Sequence, residues 1–165
     1  MVIRDMVFDD ISFVADIEKA CSLTPWDANG LLTYMLRDDT IFLVADDDPP
    51  PADVDPDDYE PDILGYVGLL MVPYESDILN ITVRTEARRR GVATALLEEI
   101  IRRAPEHGVT VIHLEVRESG LPARRLYEKM GFTVDGIRKN YYTGPRENAV
   151  LMTLDLTQAK DKENG

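Results

Sequence analysis

A chain of 165 residues, 44% of them hydrophobic, is long enough for one domain with a full core and too apolar for a disordered polymer. Its formal net charge of −13 makes the surface as a whole a poor partner for nucleic acid. No run approaches the roughly 18 continuous apolar residues of a membrane span, and the opening "MVIRDMVFDD" lacks a charged-then-apolar signal pattern, so a cytoplasmic protein without a membrane partner is expected.

The single cysteine, Cys21, excludes an internal disulfide and an all-cysteine metal cage. His107 and His113 are the only histidines, so no metal is expected. Five lysines stand beside 13 arginines and abundant aspartate. That texture fits a salt-rich cytoplasm, where screening relieves self-repulsion, as well as an ordinary acidic protein kept soluble by charge.

In chain order, "MVIRDMV" reads as an opening strand. "DDISFVADIEKACS" follows as a helix, with Ile11, Val14, Ile17 and Ala20 or Cys21 at helical spacing and Asp9 or Asp10 as its cap. "PWDANGLLTYMLRD" is a second, weaker helix, and "TIFLVAD" a strand. Residues 46–62, "DDDPPPADVDPDDYEPD", hold five prolines, eight aspartates and one glutamate. Proline cannot donate to a strand ladder, so this acidic segment is an exposed surface loop between two strands.

"ILGYVGLLMVPY" and "SDILNITV" are neighbouring strands. "GVATALLEEIIRRA" is a helix with Val92, Ala95, Leu96, Ile100 and Ala104 on one side and Gly108 past its end. "VTVIHLEVR" is a β-branched strand, "LPARRLYEKMGF" a short helix ending at Gly131, and "FTVDGIRKNYY" with "NAVLMTLDL" a closing hairpin. The expected organisation is a single domain over 1–156 with a polar tail over 157–165. Strands outnumber helices and are interrupted by them, which gives an α/β fold with helices layered on a sheet.

The densest positive charge, Arg88 to Arg90, runs into Gly91 at the mouth of a helix. A helix N-terminus carries unpaired N–H groups and partial positive charge, so it binds anions. Gly91 lets the backbone approach such an anion, and Ala93 keeps the first turn small. No Gly-Lys-Ser/Thr follows, so this is not a Walker loop, and one glycine does not make a dinucleotide fingerprint.

"RRRGVA" (88–93), between a strand and a helix, matches the Gln/Arg-x-x-Gly-x-Gly/Ala signature of the Gcn5-related N-acetyltransferase (GNAT) family, and "HLEVRES" followed by "ARRLYEKMGF" (113–132) matches its second block. With "PW" at 25–26, "LNITV" at 79–83 and "NYY" before "ENAVLM", the chain resembles the RimI/Ard1-like protein N-terminal acetyltransferases. The resemblance covers most of the chain and is strongest from Asp77 to Met152. It implies the GNAT fold: a mixed, mostly antiparallel central sheet with helices on both faces and a splayed strand pair that binds acetyl-CoA. It further implies that the backbone of Ile81, Thr82 and Val83 pairs with the pantetheine arm, and that the backbone of Arg89, Arg90, Gly91, Val92, Ala93 and Thr94 wraps the pyrophosphate, with Arg88 also on the cofactor side. The family usually has an Asn after the Ser of the second block. Here Ser119 is followed by Gly120, which has no side chain to supply that contact.

Glu115 stands at the family's base position and Tyr127 where the family has the acid that protonates the departing thiolate; Asp77 would assist the base. Tyr141 and Tyr142 resemble the aromatic pair of the peptide slot, and Trp26 the loop over the substrate. Read as residues alone, Glu115 is equally a solvated strand glutamate and Tyr127 a core aromatic, while His113 is structural. An α-amine with pKa near 8 is about 10% neutral at pH 7, whereas a lysine is under ~0.1% neutral, so an α-amine asks less of a base. The implied reaction is acetyl transfer from acetyl-CoA to a protein N-terminus by direct attack in a ternary complex, without metal. Its acceptor would be an N-terminal alanine of a ribosomal protein, or a broader set of Ser, Ala, Thr or Met starts. A small amine or lysine acceptor, and a non-catalytic acetyl-CoA-binding module, stay open. A monomer or weak homodimer is expected.

Overall fold

Seven strands make one sheet; the inner five carry the alternating or continuous apolar runs that burial on one or both faces requires, whereas the two edge strands have no buried residue. In chain order the seven are β1 (Val2–Asp5), β2 (Thr40–Asp46), β3 (Ile63–Val72), β4 (Glu75–Val83), β5 (Val111–Arg117), β6 (Thr133–Thr143) and β7 (Arg146–Asp155). This computed structural model describes residues 1–49 and 51–158, and the sheet order is β1-β2-β3-β4-β5-β7-β6. Among the described residues the pairs are antiparallel except β4 with β5, which is parallel.

Alternation on β2 divides the core. Ile41, Leu43 and Ala45 face α3 (Val92–Arg103) and α4 (Leu121–Lys129), while Phe42 and Val44 face α1 (Ile11–Cys21) and α2 (Ala28–Met35). Helices on both faces of a mixed, mostly antiparallel sheet are what the family resemblance implies. On α3, Val92, Leu96, Leu97 and Ile100 form the buried stripe. Truncating any one of its fully buried leucines to Ala would cost about 2–5 kcal/mol.

The feature that positions the site is a parting of strands. β4 and β5 pair only at Glu75–Val111, Ser76–Ile112 and Asp77–His113; beyond that β4 continues to Val83 and β5 to Arg117. The cause lies in β4. Gly68 of β3 faces Asn80 and Leu69 faces Ile78, so Leu79 is an extra residue. Such a bulge bends its strand and sharpens the twist.

Three local expectations need correction. Of the pair Ala20 or Cys21, it is Cys21 that packs against the core while Ala20 is exposed, and Glu18 takes an unexpected inward place beside Ile17. Asp10 does not cap α1 with its side chain; it accepts the Val7 N–H at 2.8 Å and pairs with Arg4 at 2.8 Å. The acidic segment is exposed at Asp53, Asp55, Asp57, Asp58 and Glu60, but its ends are tied down. Asp46 is fully buried as the last residue of β2 and accepts the Tyr59 hydroxyl, and Asp62 pairs with Arg84 at 2.7 Å. The polar tail anticipated over 157–165 lies, from 159 onward, outside the described residues.

Candidate active site

The parted strands open onto a cavity of about 610 Å³. Alternation on β5 buries Ile112, Leu114 and Val116 in the core and sends His113 and Glu115 to the other face, where they line the cavity with Asp77. Trp26 closes one side from the α1–α2 loop, its ring 4.8 Å from Tyr34.

Tyr141 and Tyr142 both reach the cavity. Consecutive residues of a regular strand point to opposite faces, so this needs an irregularity. β6 provides one: its register against β7 breaks between Arg138 and Tyr142, and Asn140 within the break has φ +54°. The two rings meet edge to face at 5.1 Å. Arg138 stacks 5.1 Å over Tyr141, and Arg117 lies 4.2 Å over Tyr142.

The cavity floor is acidic. Glu115 accepts from Arg138 at 3.2 Å. Desolvation raises the Asp77 carboxyl above its ordinary value; His113 opposes this, and Glu115 and Glu75 add to it. The Tyr141 phenol is also raised, first by a hydrogen bond to the Glu115 carboxylate and then by burial. His113 makes a 2.9 Å hydrogen bond to Thr153 through Nδ1 and lies 3.7 Å from Glu75.

The opposite side of the split is built from backbone. Gly91 is the N-cap of α3 in the left-handed region, φ +78°, and no side chain caps the helix. The N–H groups of Val92, Ala93 and Thr94 therefore remain available to an anion. A Cβ built on Gly91 would meet nothing within 4 Å, so the space beside that turn is open. Arg88, Arg89 and Arg90 are exposed, and Arg90 pairs with Asp47 of the acidic loop at 2.8 Å. Ile81 and Val83 pack into the α3-side core, and Thr82 turns its hydroxyl to Glu18 at 2.6 Å. The backbone of 78–83 is thus the β4 edge that lacks a β5 partner. Glu147 takes the Ser119 N–H, and Gly120 is the N-cap of α4 with φ −76°, a conformation that does not itself demand glycine.

Residues 13–132 match the model of the acetyltransferase (GNAT) family. The chain belongs to the GNAT acetyltransferase family. It is 30% identical over 158 residues to the [ribosomal protein bS18]-alanine N-acetyltransferase of Haemophilus ducreyi, covering 94% of this chain and 100% of that protein. The crystal structure of the ribosomal-protein-S18-alanine N-acetyltransferase from Escherichia coli superposes with a TM-score of 0.78 at 27% identity, over 94% of this chain and 93% of that one. Arabidopsis thaliana NAA60 in complex with acetyl-CoA shares the fold at a TM-score of 0.81 and 20% identity, over 94% and 98% of the two chains. As a GNAT enzyme the chain is an N-acyltransferase with acetyl-CoA as co-substrate. The open split, the uncapped α3 N-terminus and the space beside Gly91 suit that elongated, phosphate-bearing molecule.

Within this GNAT site one predicted residue stands apart. Tyr127 is buried on α4, 5.9 Å from Phe132 and outside the cavity wall. Its phenol is pushed up by burial, with Tyr142 adding to the shift. It stays protonated at any working pH, as a proton donor must.

Four residues escaped the sequence reading. Arg138 and Asp135 line the cavity. Glu18 is fully buried and accepts from Tyr66, Asn80 and Thr82. Asn80 follows the β4 bulge, and bulges leave no mark in composition. Glu18 did leave one: it is a charged residue on the apolar stripe of α1, seven after Ile11 and four after Val14.

Proposed function

We propose that the protein acetylates the α-amine at the N-terminus of a protein, with an N-terminal alanine of a ribosomal protein as its first acceptor. The observation that carries this is the meeting of Glu115 with three aromatic side chains, Trp26, Tyr141 and Tyr142, in one cavity at the split of β4 and β5. Aromatic walls suit the first residues of an extended peptide, and a carboxylate among them suits an ammonium. The relatives named for ribosomal alanine support the choice of acceptor.

In this reading Glu115 first pairs with the incoming ammonium, exchanging it for Arg138, and then takes its proton directly or through a water. Asp77, one register position from the parting of the strands, adds negative charge that favours the same cation. The neutral amine attacks the thioester while backbone N–H groups at the start of α3 hold the phosphates. Tyr127 donates to the departing sulfur. A phenol raised above its ordinary value is a weaker acid than a thiol near 8.5, so Tyr127 keeps its proton and contributes a hydrogen bond to the charge developing on sulfur, and the CoA thiolate takes its proton from water. The ribosomal acceptor also makes the cytoplasm the working compartment.

The test is incubation with acetyl-CoA and short peptides with free or blocked N-termini, read by mass spectrometry. Acetylation of free alanine-first peptides at the α-amine is expected. Modification of lysine side chains in blocked peptides would instead identify a lysine acetyltransferase, and cofactor binding without transfer to any amine would identify a non-catalytic module.

A further inference from the structure

We propose that Glu18 is a positioning residue: its carboxylate holds the loop carrying Trp26 against β4, fixing one wall of the acceptor cavity and the cofactor edge from a single point. The proposal deepens the acceptor-site reading above and rests on it for what the cavity binds.

Glu18 has no solvent exposure. Among the described residues it has no ion-pair partner; it is matched by donors instead. Oε1 accepts from Tyr66 Oη at 2.8 Å, Asn80 Nδ2 at 2.7 Å and Thr82 Oγ1 at 2.6 Å. Oε2 accepts the backbone N–H of Trp26 at 3.1 Å. These donors come from β3, from the two β4 residues Asn80 and Thr82 just past the bulge, and from the α1–α2 loop. Only a carboxylate has two oxygens that both accept without donating. A leucine would fill this place on the apolar stripe with less desolvation cost. The charged group is explained by what it holds.

Two of the held groups belong to the active site. Trp26 and Asn80 both line the cavity. Asn80 passes the constraint on: with Nδ2 committed to Glu18, its Oδ1 accepts the Ile81 N–H at 3.0 Å. The carboxylate therefore orients an amide that fills one backbone donor on β4, and so decides which donors of that edge stay free for a ligand. Release of Glu18 would loosen the Trp26 wall and this edge together, leaving Glu115, on the other strand, in position.

Trp26 is the only tryptophan, so fluorescence reads this loop alone. Glu18→Gln keeps the shape and turns one oxygen into a donor that faces another donor. We expect Trp26 emission to shift to the red, acrylamide quenching to rise, and peptide KM to rise about tenfold, with kcat at saturation changed by less than about threefold. A folded Glu18→Gln protein with unchanged quenching and unchanged peptide KM would overturn the proposal. So would a loss carried entirely by kcat. If that variant does not fold, Tyr66→Phe removes one of the three donors on Oε1 and keeps the ring. A smaller shift in the same two readouts supports the clamp, and no shift in either overturns it. If the unsubstituted protein acetylates no peptide, the acceptor reading falls by itself, and the quenching change alone then decides for or against the clamp.

Discussion

The two sides of the β4–β5 split offer a ligand different means of recognition. On the cofactor side the groups on offer are backbone: the uncapped N–H groups at the start of α3, the open turn at Gly91, and the unpaired edge of β4. On the acceptor side they are side chains: Glu115, Asp77, Trp26, Tyr141 and Tyr142, held by second contacts such as Arg138 and Glu18. Backbone recognition is indifferent to most residue types, and so tolerates an acidic protein around a phosphate-binding turn. Side-chain recognition depends on each residue. The contrast predicts where substitutions hurt and which kinetic constant they move.

The largest effects belong to the two side chains placed at the reaction, Glu115 on the acceptor side and Tyr127 outside the cavity wall. Glu115→Gln and Tyr127→Phe should each lower kcat by roughly 10²-fold while acetyl-CoA still binds, the range for a lost general base or a lost hydrogen bond to developing charge. They differ in pH dependence. The Glu115→Gln defect should shrink as pH rises from about 6.5 to 9.5, because more of the α-amine arrives neutral. The Tyr127→Phe defect should not shrink. Steady-state kinetics across that range separates them. A constant Glu115→Gln defect would mean that Glu115 orients the substrate and is not the base.

Next in size is Gly91→Val. A β-branched residue at φ +78° is strained, and its side chain would occupy the open space beside the turn. Calorimetry should give an acetyl-CoA Kd raised by about 30-fold or more, whereas Arg90→Ala should change it by less than about threefold. A larger loss for Arg90→Ala would break the contrast, because a side chain would then carry the cofactor side.

That contrast also explains what could be read in advance. The cradle was legible because the backbone must make a left-handed turn there, and glycine reports that need in the sequence. The inner strands were legible from apolar runs, and so was the face of Glu115, since alternation alone separates it from Leu114 and Val116. The acceptor wall was legible only as a list of residues. That Tyr141 and Tyr142 share one cavity depends on the register break in β6, and that Asn80 reaches Glu18 depends on the bulge in β4. Both are one- or two-residue slips of pairing, set by the partner strand and invisible in the strand's own pattern. The three arginines were misleading in emphasis. Their run draws the eye to charge, but the structure turns Arg90 to Asp47 and leaves the turn's N–H groups without a side-chain cap.

A smaller effect tests the cost of the acidic floor. Asp77 has its carboxyl raised, chiefly by desolvation. A carboxyl raised in the folded state adds stability below the ordinary carboxylate pKa and loses it as pH rises through the folded value. At pH 7 the ionised form therefore costs stability. Asp77→Asn should raise Tm at pH 7, and the gain should disappear as pH falls below the ordinary carboxylate range near 3.8. Peptide kcat/KM should fall a few-fold, a trade of activity for stability. Equal Tm gains at pH 7 and at low pH would show that packing, not charge, is responsible.

The smallest effect lies where the acidic loop touches the cofactor side. Arg90 is engaged by Asp47, whose carboxyl is lowered by that contact, and both are at the surface. If the N–H groups of α3 do the holding, Arg90 contributes only long-range attraction to the cofactor's phosphates, and Asp47 partly cancels it. Asp47→Asn should then tighten acetyl-CoA binding by about two- to threefold at low salt, and the gain should vanish near 1 M salt, where the Debye length falls to about 3 Å. The kcat for peptide should not change, since Asp47 lies outside the acceptor cavity. Removing residues 48–60 should leave peptide turnover nearly intact, with some loss of Tm because Tyr59 no longer reaches Asp46. A collapse of turnover in that folded deletion would make the loop part of the acceptor side, and the division of labour between the two sides would then be drawn in the wrong place.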